Sequence, residues 1–104
     1  MKNNKLVIAV DFDGTYTADP TLWQNFILAA KARGHLVYIV TSRSFFAANQ
    51  DIFDSVEGVA THIYFTSGEL KQEYMENSGI DVDIWIDDKP EKIVGTGTTI
   101  NIYK

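Results

Sequence analysis

The stretch Leu6-Val7-Ile8-Ala9-Val10-Asp11-Phe12-Asp13-Gly14-Thr15-Tyr16-Thr17 decides how this chain is read. Five apolar residues, 6–10, end in two carboxylates one residue apart, followed at once by Gly14 and Thr15. A buried strand gains nothing from ionised side chains, because stripping water from a charge is costly unless a partner replaces it. The carboxylates therefore mark a strand end at which charge is needed.

Outward from this stretch, short apolar and β-branched runs recur at residues 36–40, 63–65, 82–86 and 99–102. Helical periodicity fills the gaps between them. Strand alternating with helix predicts a parallel sheet of about five strands covered by helices on both faces, a three-layer α/β/α sandwich of Rossmann-like type. Residues 1–104 read as one such domain, with no linker and no room for an inserted second one.

The first helix is the best defined. Asp19 can cap it and Pro20 suits its first turn. Leu22, Trp23, Phe26, Ile27 and Ala30 share one face, and Lys31 and Arg33 precede a terminating Gly34. A second helix is expected over residues 44–54, burying Phe45, Phe46, Ile52 and Phe53. A third is expected from Thr66, where Thr66-Ser67-Gly68-Glu69 has capping-box spacing, to just before Gly79. A short fourth should follow Pro90.

Composition narrows the function classes. The chain has no cysteine, which excludes disulfides and thiolate metal sites. The apolar run before Asp11 is too short for a membrane span or a signal-peptide core, so a cytoplasmic protein without membrane contact is expected. A net charge of −5 argues against extended binding to nucleic acid, while leaving a nucleic-acid end as a conceivable substrate. Much of that charge comes from Asp11, Asp13, Asp87 and Asp88, all at the ends of apolar runs. The rest of the chain is nearly neutral.

In an open parallel sheet, ligands bind beyond the carboxyl ends of the strands. The predicted strands deliver Asp11-Phe12-Asp13-Gly14-Thr15, Thr41-Ser42-Arg43, Thr66-Ser67-Gly68 and Asp87-Asp88-Lys89-Pro90 to that edge. Carboxylates meeting there repel one another unless a cation joins them, and oxygen donors without cysteine suit Mg2+. Magnesium keeps waters and shares phosphate oxygens, which suggests a phosphorylated substrate.

These motifs, in this order and over nearly the whole chain, resemble the haloacid dehalogenase superfamily of phosphohydrolases. The resemblance implies that Asp11 is a nucleophile forming an aspartyl phosphate, and that Asp13 protonates the leaving oxygen and later activates water. It implies that Thr41 binds a phosphoryl oxygen and that Lys71 balances charge on Asp11 and the phosphoryl group. Magnesium would be held by Asp11, Asp87, Asp88 and the backbone carbonyl of Asp13. It also implies the strand order 5-4-1-2-3 with Asp11 on the central strand. The segment 16–19, where many relatives carry a flap or cap domain, is very short here, so an uncapped site is expected.

The chemistry makes sense of these residue types. An anionic nucleophile approaching an anionic phosphoryl group needs a divalent ion and a lysine to neutralise the encounter. Gly14 lets the backbone turn close to the phosphate and Thr15 can add a donor. Ser42 and Arg43 are further candidates for phosphate binding, although Ser42 is also the better helix cap and Arg43 an equally good surface ion pair.

Other readings remain at several positions. Asp87 or Asp88 could cap the fourth helix. Lys89 competes with Lys71 for the lysine role, and Lys71 is preferred because it falls near the start of the third helix, where a positive charge is mildly unfavourable. Phe45, Phe46 and Trp23 read as core, with one of the two adjacent phenylalanines turned toward the mouth of the site. His35 and His62 fall at the amino edge of the sheet and read as structural. At the level of function, the alternatives are a phospho-accepting receiver-like domain and a catalytically silent binding protein on the same fold.

Overall fold

The computed structural model describes residues 5–59 and 61–95, and in it four of the apolar runs form a single parallel sheet. Its strands are β1 (Val7–Val10), β2 (Leu36–Thr41), β3 (His62–Phe65) and β4 (Ile84–Ile86). The helices are α1 (Pro20–Ala32), α2 (Gln50–Val56), α3 (Lys71–Asn77) and α4 (Glu91–Val94). The strand order is β3-β2-β1-β4, so β1 lies inside the sheet with a neighbour on either side. Val10 pairs with Ile39 on one side and Ile86 on the other, which aligns the carboxyl ends of all three strands. The strand expected at 99–102 lies outside the described residues.

Strand side chains alternate between two apolar clusters. Ile8, Val10, Val37, Ile39 and Phe65 pack with Ile27 and Ala30 of α1 and with Ile52 and Val56 of α2. Ala9 and Val40 pack with Met75 of α3, and Tyr38, Tyr64 and Trp85 close in around them. Both faces of the sheet are thus apolar, which explains why β1 and β2 read as continuous hydrophobic runs rather than as alternating ones. Each fully buried aliphatic side chain contributes about 1.5–3 kcal/mol relative to exposure.

Local chemistry sets the helix ends. The Asp19 carboxylate accepts from the Leu22 amide at 3.2 Å, and Pro20 opens α1 as expected. Three expectations need correction. Leu22 is 52% exposed and Trp23 and Phe26 are only partly covered, so the buried stripe of α1 narrows to Ile27 and Ala30.

The second correction concerns α2, which begins at Gln50 rather than near Ser44. The Asn49 side chain donates to the carbonyls of Ser44 and Phe45, and the Ser44 hydroxyl accepts from the Phe46 amide. These local bonds hold 44–49 in turns instead of a helical ladder. Phe45 and Phe46 consequently leave the core, Phe46 at 93% exposure, and Phe53 is also exposed.

The third correction is that α3 begins at Lys71, not Thr66. Ser67 (φ 54°) and Gly68 (φ 84°) adopt left-handed conformations, and Thr66 bonds with Glu69 across a tight turn. A right-handed helix cannot run through two such residues. β4 is likewise shorter than residues 82–86 suggested. No helix among the described residues is long and apolar enough to cross a membrane.

Candidate active site

The parallel register carries polar groups to one edge of the sheet. The Asp11 amide donates to the Ile86 carbonyl at 2.9 Å, continuing the β1–β4 ladder by one residue beyond the strand. The Thr66 amide donates to the Thr41 carbonyl at 2.8 Å, doing the same between β2 and β3. The backbone at both positions is therefore as rigid as the sheet. Asp11 is 7% exposed, and Thr41 and Lys71 are each 1% exposed.

Delaying α3 to residue 71 has a direct consequence for the site. It puts Lys71 on the first turn of a helix that packs across the sheet, with its side chain directed to the strand ends. Its Nζ lies 2.7 Å from Asp11 Oδ1 and 2.6 Å from Asp87 Oδ2. Such short charge-assisted bonds in a buried place hold both carboxylates in fixed orientations. Lys89, the competing lysine, is exposed at the rim.

Thr15 completes the arrangement. Its hydroxyl lies 3.1 Å from Asp11 Oδ2 and 3.4 Å from Asp88 Oδ1, and accepts from the Asp88 amide at 3.1 Å. Both oxygens of Asp11 are therefore engaged, one by an ammonium and one by a hydroxyl. Gly14 permits this packing: at φ 88°, a Cβ there would stand 2.5 Å from Asp88 Oδ2. The close approach that requires glycine is thus to the Asp88 carboxylate.

Asp11, Asp87 and Asp88 each present an oxygen within 4.8 Å of the others. Among the described residues Lys71 supplies the one ammonium ion-paired with these carboxylates, while Lys89 and Lys92 line the cleft without such a bond, so negative charge is only partly offset where the three acids meet. Burial raises the Asp11 carboxyl from its ordinary 3.8 to about 6, with Lys71 opposing and Asp87 adding to the rise. Hard oxygen donors at this spacing with surplus negative charge fit a small divalent cation such as Mg2+.

The Asp13 side chain is placed apart from these three. Its carboxylate is more than half exposed and is held at the rim by Arg43, whose Nε and Nη2 donate to it at 2.9 and 2.8 Å. Asp13 nevertheless lines the edge of a cleft of about 130 Å³ together with Asp11, Thr41, Ser42, Lys71, Asp87, Asp88, Lys89 and Lys92. Seven of these lining residues were sequence candidates in named roles, and Lys89 was weighed as a rival to Lys71. Lys92 was missed, because a lysine in a short helix carries no local mark of facing a cleft three residues upstream.

Arg43 has a second carboxylate partner that sequence reading did not find. Asp51, in the first turn of α2, accepts from Nη1 and Nη2 at 2.8 and 2.9 Å. The hydrogen bonds that Arg43 donates to Asp13 and Asp51 raise the guanidinium's pKa further, and Arg43 in turn holds Asp51 below the usual carboxylate range. The only signal for Asp51 was an acid at a helix start, which an ordinary helix dipole already accounts for.

The histidines stand elsewhere. His35 accepts from the Leu6 amide at 3.0 Å, and His62 opens β3, both at the amino edge. A roomier hollow of about 580 Å³ runs beside β3 between Phe45, Phe53 and Tyr74 and holds none of the converging acids. Chemistry therefore points to the smaller cleft. No family model, curated protein or solved structure matches this chain.

Proposed function

We propose that the chain is a magnesium-dependent phosphomonoesterase of the haloacid dehalogenase type, uncapped, acting through an aspartyl phosphate. One observation carries the reading. A buried lysine joins the carboxylate after the central strand to a carboxylate after its neighbour, with a third acid within reach. A five-stranded, three-layer arrangement and a cytoplasmic setting belong to the same proposal.

Asp11, Asp87 and Asp88, with the backbone carbonyl of Asp13, would hold the ion. Bound there, magnesium supplies charge neutralisation for the phosphoryl oxygens. Lys71 keeps Asp11 oriented and offsets the negative charge as the phosphoryl group arrives. Thr41 and Ser42 lie on the cleft wall, where their hydroxyls can donate to phosphoryl oxygens.

A carboxylate oxygen of Asp11 attacks phosphorus, the ester P–O bond breaks, and Asp13 gives its proton to the departing alkoxide oxygen. Water then loses a proton to Asp13 and attacks the same phosphorus. The acyl phosphate bond breaks, releasing inorganic phosphate and restoring Asp11. For either step the Asp13 carboxylate must turn from Arg43 into the cleft, a side-chain rotation open to an exposed residue.

The substrate class is a phosphomonoester: a nucleotide, a nucleic-acid end or a small metabolite. A cleft of about 130 Å³ takes the phosphoryl group and leaves the remainder of the substrate outside. Nothing folds over it from the β1–α1 connection. Tyr16 turns inward instead, fully buried, with its hydroxyl donating to the Ser55 carbonyl at 2.8 Å.

The test is release of p-nitrophenol from its phosphate ester with added magnesium. Turnover should fall at least about a thousandfold in Asp11→Asn and in Asp13→Asn, since each removes a group that acts in the bond-breaking step. Failure of the unaltered protein to hydrolyse any member of a broad phosphoester panel would replace this reading with that of a binding protein.

A further inference from the structure

Arg43 is engaged on three sides. Its Nε–Nη2 edge donates to Asp13, its Nη1–Nη2 edge donates to Asp51, and its Cζ lies 5.3 Å from the centre of the Phe12 ring. Asp51 has no part in the proposed reaction, yet it meets the guanidinium as squarely as Asp13 does. A single ion pair at a rim needs no such support.

The reaction makes conflicting demands on Asp13. Its carboxylate cannot both accept from the Arg43 fork and reach the leaving oxygen. When it turns into the cleft, Asp51 and Phe12 retain Arg43 in place. The Nε–Nη2 edge is then left with two parallel donors, spaced for one carboxylate or phosphate group. This edge adjoins the place vacated by Asp13, on the side of the departing group.

We propose that Asp51 is a positioning residue that keeps Arg43 at the rim, so that the edge released by Asp13 receives an anionic group on the leaving portion of the substrate. The favoured substrates are accordingly phosphoesters whose alcohol carries its own oxyanion, either a carboxylate or a second phosphate. Lys89 and Lys92 line the same cleft and form no ion pair among the described residues, which favours a substrate with charge beyond the transferred group. The inference rests on the phosphohydrolase reading and names its substrate class.

Three esters with a matched three-carbon chain test it: propyl phosphate, 3-phosphonooxypropanoate and propane-1,3-diol bisphosphate. The anionic esters should exceed propyl phosphate in kcat/KM by about tenfold or more, the size of one charge-assisted contact. Asp51→Ala should shrink that preference to within about twofold through KM rather than kcat, and Asp51→Glu should restore most of it. If only one anionic ester is preferred, it identifies which oxyanion the fork takes. Equal use of all three esters by the unaltered protein, or a preference that survives Asp51→Ala, would overturn the proposal.

A second measurement separates this idea from hydrolysis itself. In Asp11→Asn protein, the Arg43 Nε–H resonance should show a shift with either anionic ester that propyl phosphate does not produce, because propyl phosphate draws Asp13 from the fork and offers no oxyanion in its place. If that shift occurs while no ester is hydrolysed by the unaltered protein, the fork stands and the phosphohydrolase reading falls. Hydrolysis without the shift has the opposite meaning.

Discussion

Lys71 shows how much can depend on one side chain. Its ammonium is the shared partner of Asp11 and Asp87, buried with both. Breaking a buried ion pair by removing one member leaves the other charge without compensation. Lys71→Ala should therefore destabilise the metal-free protein by roughly 3 kcal/mol in urea unfolding, with part of the loss recovered on adding magnesium. Turnover should drop at least about a hundredfold even with magnesium present, because the phosphoryl charge is then met by the ion alone. If Lys89→Ala does the damage and Lys71→Ala does not, the lysine role belongs at the rim. The sequence favoured Lys71 over Lys89 only through its place near a helix start, where a positive charge is mildly unfavourable. In the fold Lys71 is buried, and that burial depends on where α3 starts.

At the scale of the element, the two helix starts that differ from expectation have a common cause. Short polar side chains satisfied backbone groups locally and displaced the helical ladder. Asn49 is the clearest case: it is nearly buried and donates to two carbonyls, those of Ser44 and Phe45. Replacing it with alanine removes the side-chain donor from both, leaving the Ser44 carbonyl with only its bond from the Ala47 amide. Asn49→Ala should cost about 1–2 kcal/mol, measured by urea titration. It should also loosen the turn that carries Ser42 and Arg43. An unchanged midpoint would mean that solvent satisfies those carbonyls equally well. The apolar spacing of Phe45, Phe46, Ile52 and Phe53 suggested one helix, but periodicity counts side chains and cannot weigh a competing turn. By contrast, α1 kept its expected ends because cap, proline and terminating glycine all agree, although its buried stripe narrowed.

For the molecule as a whole, the acid cluster links fold stability to protons and, if it holds the proposed magnesium, to metal. Asp11 has a carboxyl raised to about 6 in the metal-free fold, against an ordinary 3.8. A raised carboxyl means that the folded state holds the proton more tightly. Its contribution to stability is therefore present at low pH and lost as pH rises through about 6. Magnesium has the opposite dependence, because it requires the ionised carboxylate and competes with the proton. The rise in thermal midpoint on adding magnesium should be largest above pH 7 and shrink as pH falls through about 6. Differential scanning fluorimetry across pH, with and without magnesium, measures this directly. A midpoint shift that is independent of pH, or absent in the unaltered protein, would remove Asp11 from the metal site.

The sequence by itself determined the class of fold and the edge at which chemistry gathers. Apolar runs that end in polar groups are local features, and the parallel direction of the strands brings all such ends to one edge. Asp11, Thr41 and Asp87 were legible for that reason. Only the tertiary structure decided that Lys71 bridges Asp11 and Asp87, that Asp13 rests on Arg43 outside that cluster, and that Asp51 and Lys92 approach the cleft at all. Those placements follow from helix starts and side-chain directions fixed by packing against distant residues. A charge at a helix terminus looks the same in sequence whether it faces water or a partner thirty residues away, and only the folded chain's spacing in three dimensions tells the two apart.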